Sequence, residues 1–245
     1  MSLPSLDDLL GPSPQPDPEE EPPQPKRVRR HCAGDYTAHV YAPLTFGRSS
    51  RELRGLIKVV TKKLEDASGV RAHPVLASDS TGEKEDEGRV VLDSWHVSLS
   101  RVATLRPSQL DTFSHELKRQ FQSQFEPFSV LFEDLLVLAN EDDSTCFVCI
   151  GVRDKPSGHL DHLVDRADRV YKRHGLREYF AEKERRHHLS LAWAPGEGKE
   201  ALRGAVSRLG EDGEVLRAMR ALREAGAAKV EGVRWKIGQR VTSFP

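Results

Sequence analysis

From Asp35 onward the apolar positions of the chain alternate or recur with the periods of regular structure. The run Ala38-His39-Val40-Tyr41-Ala42 reads as a strand. Leu53, Leu56, Ile57, Val60 and Leu64 fall on one helical face, which predicts a helix from Ser49 to about Asp66. Residues 77–89 are polar and acidic with no apolar period, the pattern of a flexible surface loop. A strong strand pattern then spans Val90 to Arg101, and a helix opened by Pro107 and Ser108 covers about 107–124. Two β-rich runs, Phe128 to Ala139 and Thr145 to Val152, are joined by the turn Asn140-Glu141-Asp142-Asp143. Leu160, Leu163, Val164, Ala167 and Val170 line one face of a helix over Ser157 to Arg173. His188 to Trp193 is the second strong strand, followed by helices at about 198–209 and 213–225. The chain closes with a hairpin at 228–244 that turns at Gly238. Helices and strands are intermixed and adjacent strands read as antiparallel, so the expected class is α+β.

Composition divides the chain in two. Eight of the fifteen prolines and six acidic residues fall within residues 1–25, with no basic residue among them. Such a segment cannot bury enough apolar surface to offset its ordering entropy, so residues 1–32 are expected to form a disordered tail. The tail carries the basic cluster Lys26-Arg27-Val28-Arg29-Arg30, which reads equally as a nuclear import signal or as a solvated charge run. Residues 33–245 are expected to form one domain, and with 37% hydrophobic residues in the chain a sizeable core can be buried. A net charge of −1 excludes a surface coated in positive charge, but a local basic patch suffices to hold a few phosphates. No apolar run is long enough for a transmembrane helix, and no basic-then-apolar signal peptide is read at the start. Three unevenly placed cysteines, Cys32, Cys146 and Cys149, make no disulfide framework and suggest a reducing compartment.

Two short segments carry chemistry. Trp95-His96-Val97-Ser98-Leu99 and His187-His188-Leu189-Ser190-Leu191 repeat one pattern on two predicted strands. Side chains alternate along a strand, so His and Ser at i and i+2 share one face. Val97, Leu99, Leu189 and Leu191 then point to the other face, toward a core. A lone H-x-S is most often a hydrogen-bonded histidine beside a strand; duplication with matched apolar alternation reverses that reading. Two such strands facing one another place two imidazoles beside one phosphate. Histidine acts as acid or base near neutral pH. One imidazole could take the proton of a ribose 2′-hydroxyl and the other could protonate the leaving 5′-oxygen. The two serines could donate to non-bridging phosphate oxygens, where charge grows in the transition state. The nucleophile belongs to the substrate, so no metal or other cofactor is expected.

With these motifs, the sequence resembles the 2H phosphoesterase superfamily, defined by two H-x-[ST] motifs on opposed lobes. Within it the resemblance is to the U6 snRNA phosphodiesterases, carried by Thr37-Ala38-His39-Val40-Tyr41-Ala42-Pro43, His96-Val97-Ser98-Leu99-Ser100, His188-Leu189-Ser190-Leu191-Ala192-Trp193 and the closing Ser243-Phe244-Pro245. It covers about residues 33–245. The fold it implies has two pseudo-symmetric lobes, each an antiparallel sheet with helices on its outer face, flanking a central cleft. The activity it implies is a nuclear 3′-to-5′ exoribonuclease that trims the oligouridine tail of U6 snRNA and leaves a 2′,3′-cyclic phosphate. RNA is the implied partner of a monomeric chain, with no membrane involved. The resemblance makes His188 the base and His96 the acid; the residues themselves leave those roles open. It also implies substrate contacts from Val97, Ser98, Leu189 and Ser190, and from Arg186 and His187 just before the second motif. An aromatic residue stacks on the terminal base in the family, with Phe180 the expected position and Tyr179 its neighbour. Two departures stand out: Ala181 to His187 is longer than the family pattern, and Glu141 is acidic where an uncharged base-reading side chain is expected. Two other functions remain open, a cyclic phosphodiesterase acting on a small nucleotide or tRNA-derived end, and a catalytically silent RNA-binding module.

Other signals read as structural. The sulfurs of Cys146 and Cys149 would point to opposite faces of a strand, with no second pair to complete a zinc site. His159 and His162, with Asp161, fit a solvated helix surface better than a metal cluster. Lys118-Arg119 and the series Arg217, Arg220, Arg223 read as solvent faces, and Trp95 and Trp193 as core anchors.

Overall fold

A computed structural model describes residues 34–77, 90–92, 95–122, 125–140, 142–154, 158–179 and 186–244. The proposed tail, most of the acidic loop, Glu141, Phe180 and Arg185 lie outside the described residues.

The domain is α+β. Among the described residues, eleven strands form one hydrogen-bonded network: β1 (Tyr36–Thr45), β2 (His73–Ala77), β3 (Val90–Leu92), β4 (His96–Ser98), β5 (Ala103–Leu105), β6 (Phe128–Ala139), β7 (Thr145–Asp154), β8 (His188–Pro195), β9 (Ala228–Val230), β10 (Val233–Ile237) and β11 (Arg240–Phe244). The main path runs β11-β10-β1-β9-β6-β7-β8-β2-β3, while β4 and β5 pair with β1. Every pairing is antiparallel except β2 with β3.

Five helices among the described residues cover this network: α1 (Ser49–Ser68), α2 (Leu110–Phe121), α3 (His159–Arg173), α4 (Lys199–Leu209) and α5 (Gly213–Glu224). The apolar face of α1 is buried as its period requires, and Gly69 in the left-handed region closes the helix. Helices α1, α4 and α5 pack together over β6, β7, β8 and β2. Helices α2 and α3 pack on each other. They also reach the β1 and β10 half, through Trp235 Nε1 donating to Ser114 Oγ at 3.3 Å and Tyr171 hydroxyl beside Ser100 Oγ at 2.7 Å. Two lobes result, but they share one strand network through β9, and one hydrophobic core runs through both.

The element reading corresponds closely, but β2 and β5 were not expected, and three further segments differ. The expected strand 90–101 is two strands: β3 pairs with β2, whereas β4 pairs with β1. The chain changes lobes between Leu92 and His96, so one apolar run serves two partners. The helix expected from residue 107 begins as a 3-10 turn, Pro107–Gln109, in which the Gln109 side chain accepts the Arg106 N–H at 3.0 Å. The closing segment holds three strands, with its turn at Gly238 (φ 57°) between β10 and β11.

Candidate active site

The first motif is β4 itself. Val97 is fully buried, and His96 and Ser98 on either side are half-exposed. Register with β1 places Tyr41 opposite Ser98 and Pro43 opposite His96. Backbone bonds lock this register at both ends, Leu44 N–H to the Trp95 carbonyl at 2.8 Å and Leu99 N–H to the Val40 carbonyl at 2.9 Å. Paired residues share a face, and so do residues two apart on one strand. His39, Tyr41 and Pro43 therefore stand on the face that carries His96 and Ser98. The rings meet there: His96 lies 4.6 Å from Tyr41 and 5.4 Å from His39, centroid to centroid. His39 Nε2 is 3.0 Å from Ser98 Oγ.

The second motif opens β8. Leu189 is buried, and His188 and Ser190 flank it on the opposite face. In register with β7, His188 faces Gly151 and Ser190 faces Cys149. His188 Nδ1 lies 2.9 Å from the Arg186 carbonyl. A carbonyl only accepts, so Nδ1 carries the proton and Nε2 of the neutral ring keeps its lone pair. Burial pushes the His188 pKa below the ordinary imidazole value, and neighbouring His187 adds to this, against the opposing pull of the Arg186 carbonyl. Ser190 Oγ lies 3.7 Å from Cys149 Sγ. Burial raises that thiol to about 12, so it stays protonated.

Strands β4 and β8 are neighbours, with Cα atoms within 8 Å of each other. Val97, Leu99, Leu189 and Leu191 all enter the same core. Their alternating partners His96, Ser98, His188 and Ser190 therefore face away from that core, on adjacent strands. Tyr179 ties the lobes together. Its N–H donates to Asp168 Oδ1 at 2.8 Å, and its carbonyl and that of Glu178 accept from Arg101 Nε at 3.2 and 2.9 Å. Its hydroxyl hydrogen-bonds Ser98, and burial pushes the phenol pKa up.

The remaining expected contacts are placed as follows. Val97 and Leu189 present only backbone to the front face, since both side chains are buried. Arg186 is exposed and supplies its carbonyl to His188. His187 is turned toward α3, with Nε2 3.1 Å from Asp161 Oδ1 and its side chain 9% exposed. Tyr179 packs against the core with its hydroxyl on Ser98. Phe180 lies outside the described residues. Cys146 and Cys149 are both buried and free, Cys146 in the core and Cys149 under Ser190. His159 stacks on Phe128 at 4.8 Å, His162 is exposed, and Arg223 ties α5 to β6 through the Phe132 and Glu133 carbonyls and Asp134. Trp95 and Trp193 are buried, under Phe46 and His73 respectively. Among the described residues, no three His, Cys, Asp or Glu side chains converge to hold a metal ion, and no helix is long and apolar enough to cross a membrane. Sequence reasoning passed over the site roles of His39, Tyr41, Cys149, Arg101 and Asp168. For His39 and Tyr41 a signal existed, since both alternate with core residues on a strand and thus share its polar face.

The HVSL family, described as an uncharacterised conserved protein, matches residues 7–245. The chain belongs to the HVSL family. The four letters of that name spell His96-Val97-Ser98-Leu99 as they stand here. Among curated relatives, U6 snRNA phosphodiesterase 1 of Homo sapiens is 30% identical over 158 residues, 62% of this chain and 55% of that protein. U6 snRNA phosphodiesterase 1 of Dictyostelium discoideum is 23% identical over 168 residues, 69% of this chain and 54% of that protein. The chain thus spans about half the length of the curated relatives it matches. Among solved structures, Usb1 of Kluyveromyces marxianus superposes with a TM-score of 0.57 at 15% identity, covering 85% of this chain and 97% of that one. The same protein with uridine monophosphate gives 0.61 at 16%, covering 85% and 98%. At these identities the likeness establishes a shared fold.

Proposed function

We propose that this member of the HVSL family is a 3′-to-5′ RNA phosphodiesterase that trims the oligouridine end of U6 snRNA and leaves a 2′,3′-cyclic phosphate. The observation that carries the reading is the pair of H-x-S strands set side by side over one core, with the His188 Nε2 lone pair kept bare by the Nδ1 hydrogen bond. The names of the curated relatives supply the substrate class.

The chemistry balances with the groups present. His188 Nε2 takes the 2′-hydroxyl proton of the penultimate nucleotide as that oxygen attacks the last phosphorus. The bond from phosphorus to the terminal 5′-oxygen breaks, and His96 supplies the proton that this oxygen needs. The terminal nucleoside leaves, and the shortened RNA ends in a cyclic phosphate. Ser98 and Ser190 donate to the non-bridging oxygens while their charge grows. Arg186, exposed beside His188, suits a phosphate contact, and the basic cluster at Lys26 to Arg30 suits a nuclear address.

The test uses the full chain and an RNA ending in oligouridine, in EDTA, with products read by mass spectrometry. Stepwise shortening with a mass corresponding to a cyclic phosphate end is expected. His96→Ala and His188→Ala should each lower the rate by at least about 100-fold. A 2′-deoxy penultimate nucleotide should block the first cut. Normal cleavage of that deoxy substrate would make water the nucleophile and overturn the mechanism. Intact RNA together with turnover of a small cyclic nucleotide would instead favour the cyclic phosphodiesterase reading.

A further inference from the structure

Ser98 is held by more than its own strand. A serine hydroxyl has one proton to give and two lone pairs to receive. Among the described residues, two groups reach Ser98 Oγ: His39 Nε2 at 3.0 Å, and the Tyr179 hydroxyl. They arrive from different elements, His39 from β1 and Tyr179 from the segment after α3, fixed by Asp168 and Arg101. If both donate, the two lone pairs are filled and the single serine proton is left for the cleft. If Ser98 instead donates to His39 or to Tyr179, its proton is spent inside the protein. The oxygen would then turn a lone pair toward an anionic phosphate, which is repulsive at the position where negative charge must be stabilised.

We infer that His39 is a positioning residue: its Nε2–H donates to Ser98 Oγ and thereby directs the serine proton to a non-bridging oxygen of the scissile phosphate. The ring is well held for this. Tyr41 stacks on it at 5.4 Å and 25°, and the edge of His96 meets it at 5.4 Å and 64°. The β1–β4 register that places Tyr41 opposite Ser98 puts His39 one step further along the same face. Among the described residues, Ser190 instead meets a cysteine thiol at 3.7 Å. The two H-x-S motifs are thus unlike in the way their serines are oriented. The inference rests on the phosphodiesterase reading for its consequence, but its proton assignment does not.

The experiment has two arms. Long-range proton–nitrogen NMR on the full chain without RNA reads the His39 tautomer directly. A protonated Nε2 is expected, with its resonance shifting in Ser98→Ala; a bare Nε2 overturns the inference. The second arm is kinetic, on the oligouridine RNA. His39→Phe keeps a ring and removes the donor, and should lower kcat by about 10- to 100-fold with KM within about twofold. His39→Gln, whose amide N–H reaches the Nε2 position, should restore most of kcat, whereas His39→Asn should not. In a Ser98→Ala background, His39→Phe should cost nothing further. Additive losses in that cycle would overturn the inference even if every variant melts at the wild-type temperature. Should the wild-type chain leave the RNA intact, the phosphodiesterase reading fails, and the NMR arm alone decides the tautomer.

Discussion

Ser98 and Ser190 hold equivalent places in two matching motifs, yet their partners differ. Ser98 is oriented by His39 and Tyr179, whereas Ser190 has a long contact to a protonated, buried thiol. A dipole fixed before the reaction stabilises developing charge at no reorganisation cost, and a loosely held one must first reorient. Ser98→Ala should therefore lower single-turnover cleavage by about 100-fold and Ser190→Ala by about 10-fold. Equal losses in the two variants would show that orientation within the protein does not set the serine contribution. The motif residues were legible in the sequence because strand alternation alone sorts His96, Ser98, His188 and Ser190 onto a front face and Val97, Leu99, Leu189 and Leu191 onto a back face. His39 was visible only as part of a strand. Its role depends on which residue of β4 lies across from β1, and pairing register is a property of two distant segments that neither displays by itself.

At the scale of elements, periodicity located every helix and most strands, and it failed where partner choice decides. The apolar run from Val90 reads as one strand, but β3 joins β2 and β4 joins β1, so the same pattern is divided between two lobes. The segment between Ser144 and α4 has a similar hidden constraint. After β8, Gly196 N–H donates to the Ser144 carbonyl at 3.0 Å, and a Cβ at Gly196 would collide with the Asp143 carbonyl oxygen. The turn joining β6 to β7 thus lies directly on the end of β8, at the opposite end of that strand from His188. The obstructing group is backbone, which cannot swing aside as a side chain does. Gly196→Ala should therefore destabilise the fold by about 1–3 kcal/mol despite the intrinsic preference for alanine over glycine. A lower urea midpoint at unchanged slope checks this; an unchanged midpoint would mean that the turn yields freely. Nothing in the local sequence marks this glycine, because the close approach is made by a residue on another hairpin.

The α+β class was legible across the whole molecule from the mixture of periods, and the two-lobed plan was implied by the family resemblance. The interleaving was not: β1, β4, β5, β10 and β11 gather on one side of the network with α2 and α3, while α1 crosses to pack with α4 and α5. Burying both motif backs in one core has an acid–base consequence for the entire fold. Burial depresses the pKa of His188, and likewise that of His73, which stacks on Trp193 at 4.6 Å. For His73 the nearby Arg71 pushes in the same direction and Glu65 in the opposite one. In the unfolded chain both imidazoles return to about 6.5. Between the folded and unfolded values the unfolded chain binds more protons, so stability rises with pH through that window. The contribution is complete above 6.5 and is lost as the pH falls below it. Hydrogen-bonded Asp142 and Asp212 are also depressed, but from an ordinary value of 3.8, so their effect belongs to a separate and more acidic window. The melting temperature should fall between pH 7.5 and pH 5. Because His73 pairs with Trp193, well along β8 from His188 and Ser190, His73→Phe can keep the stack on Trp193 while removing one titrating group. It should flatten the acid slope and leave RNA cleavage unchanged. A slope identical to that of the wild-type chain would rule out His73 as a source of acid sensitivity and leave His188 to carry it.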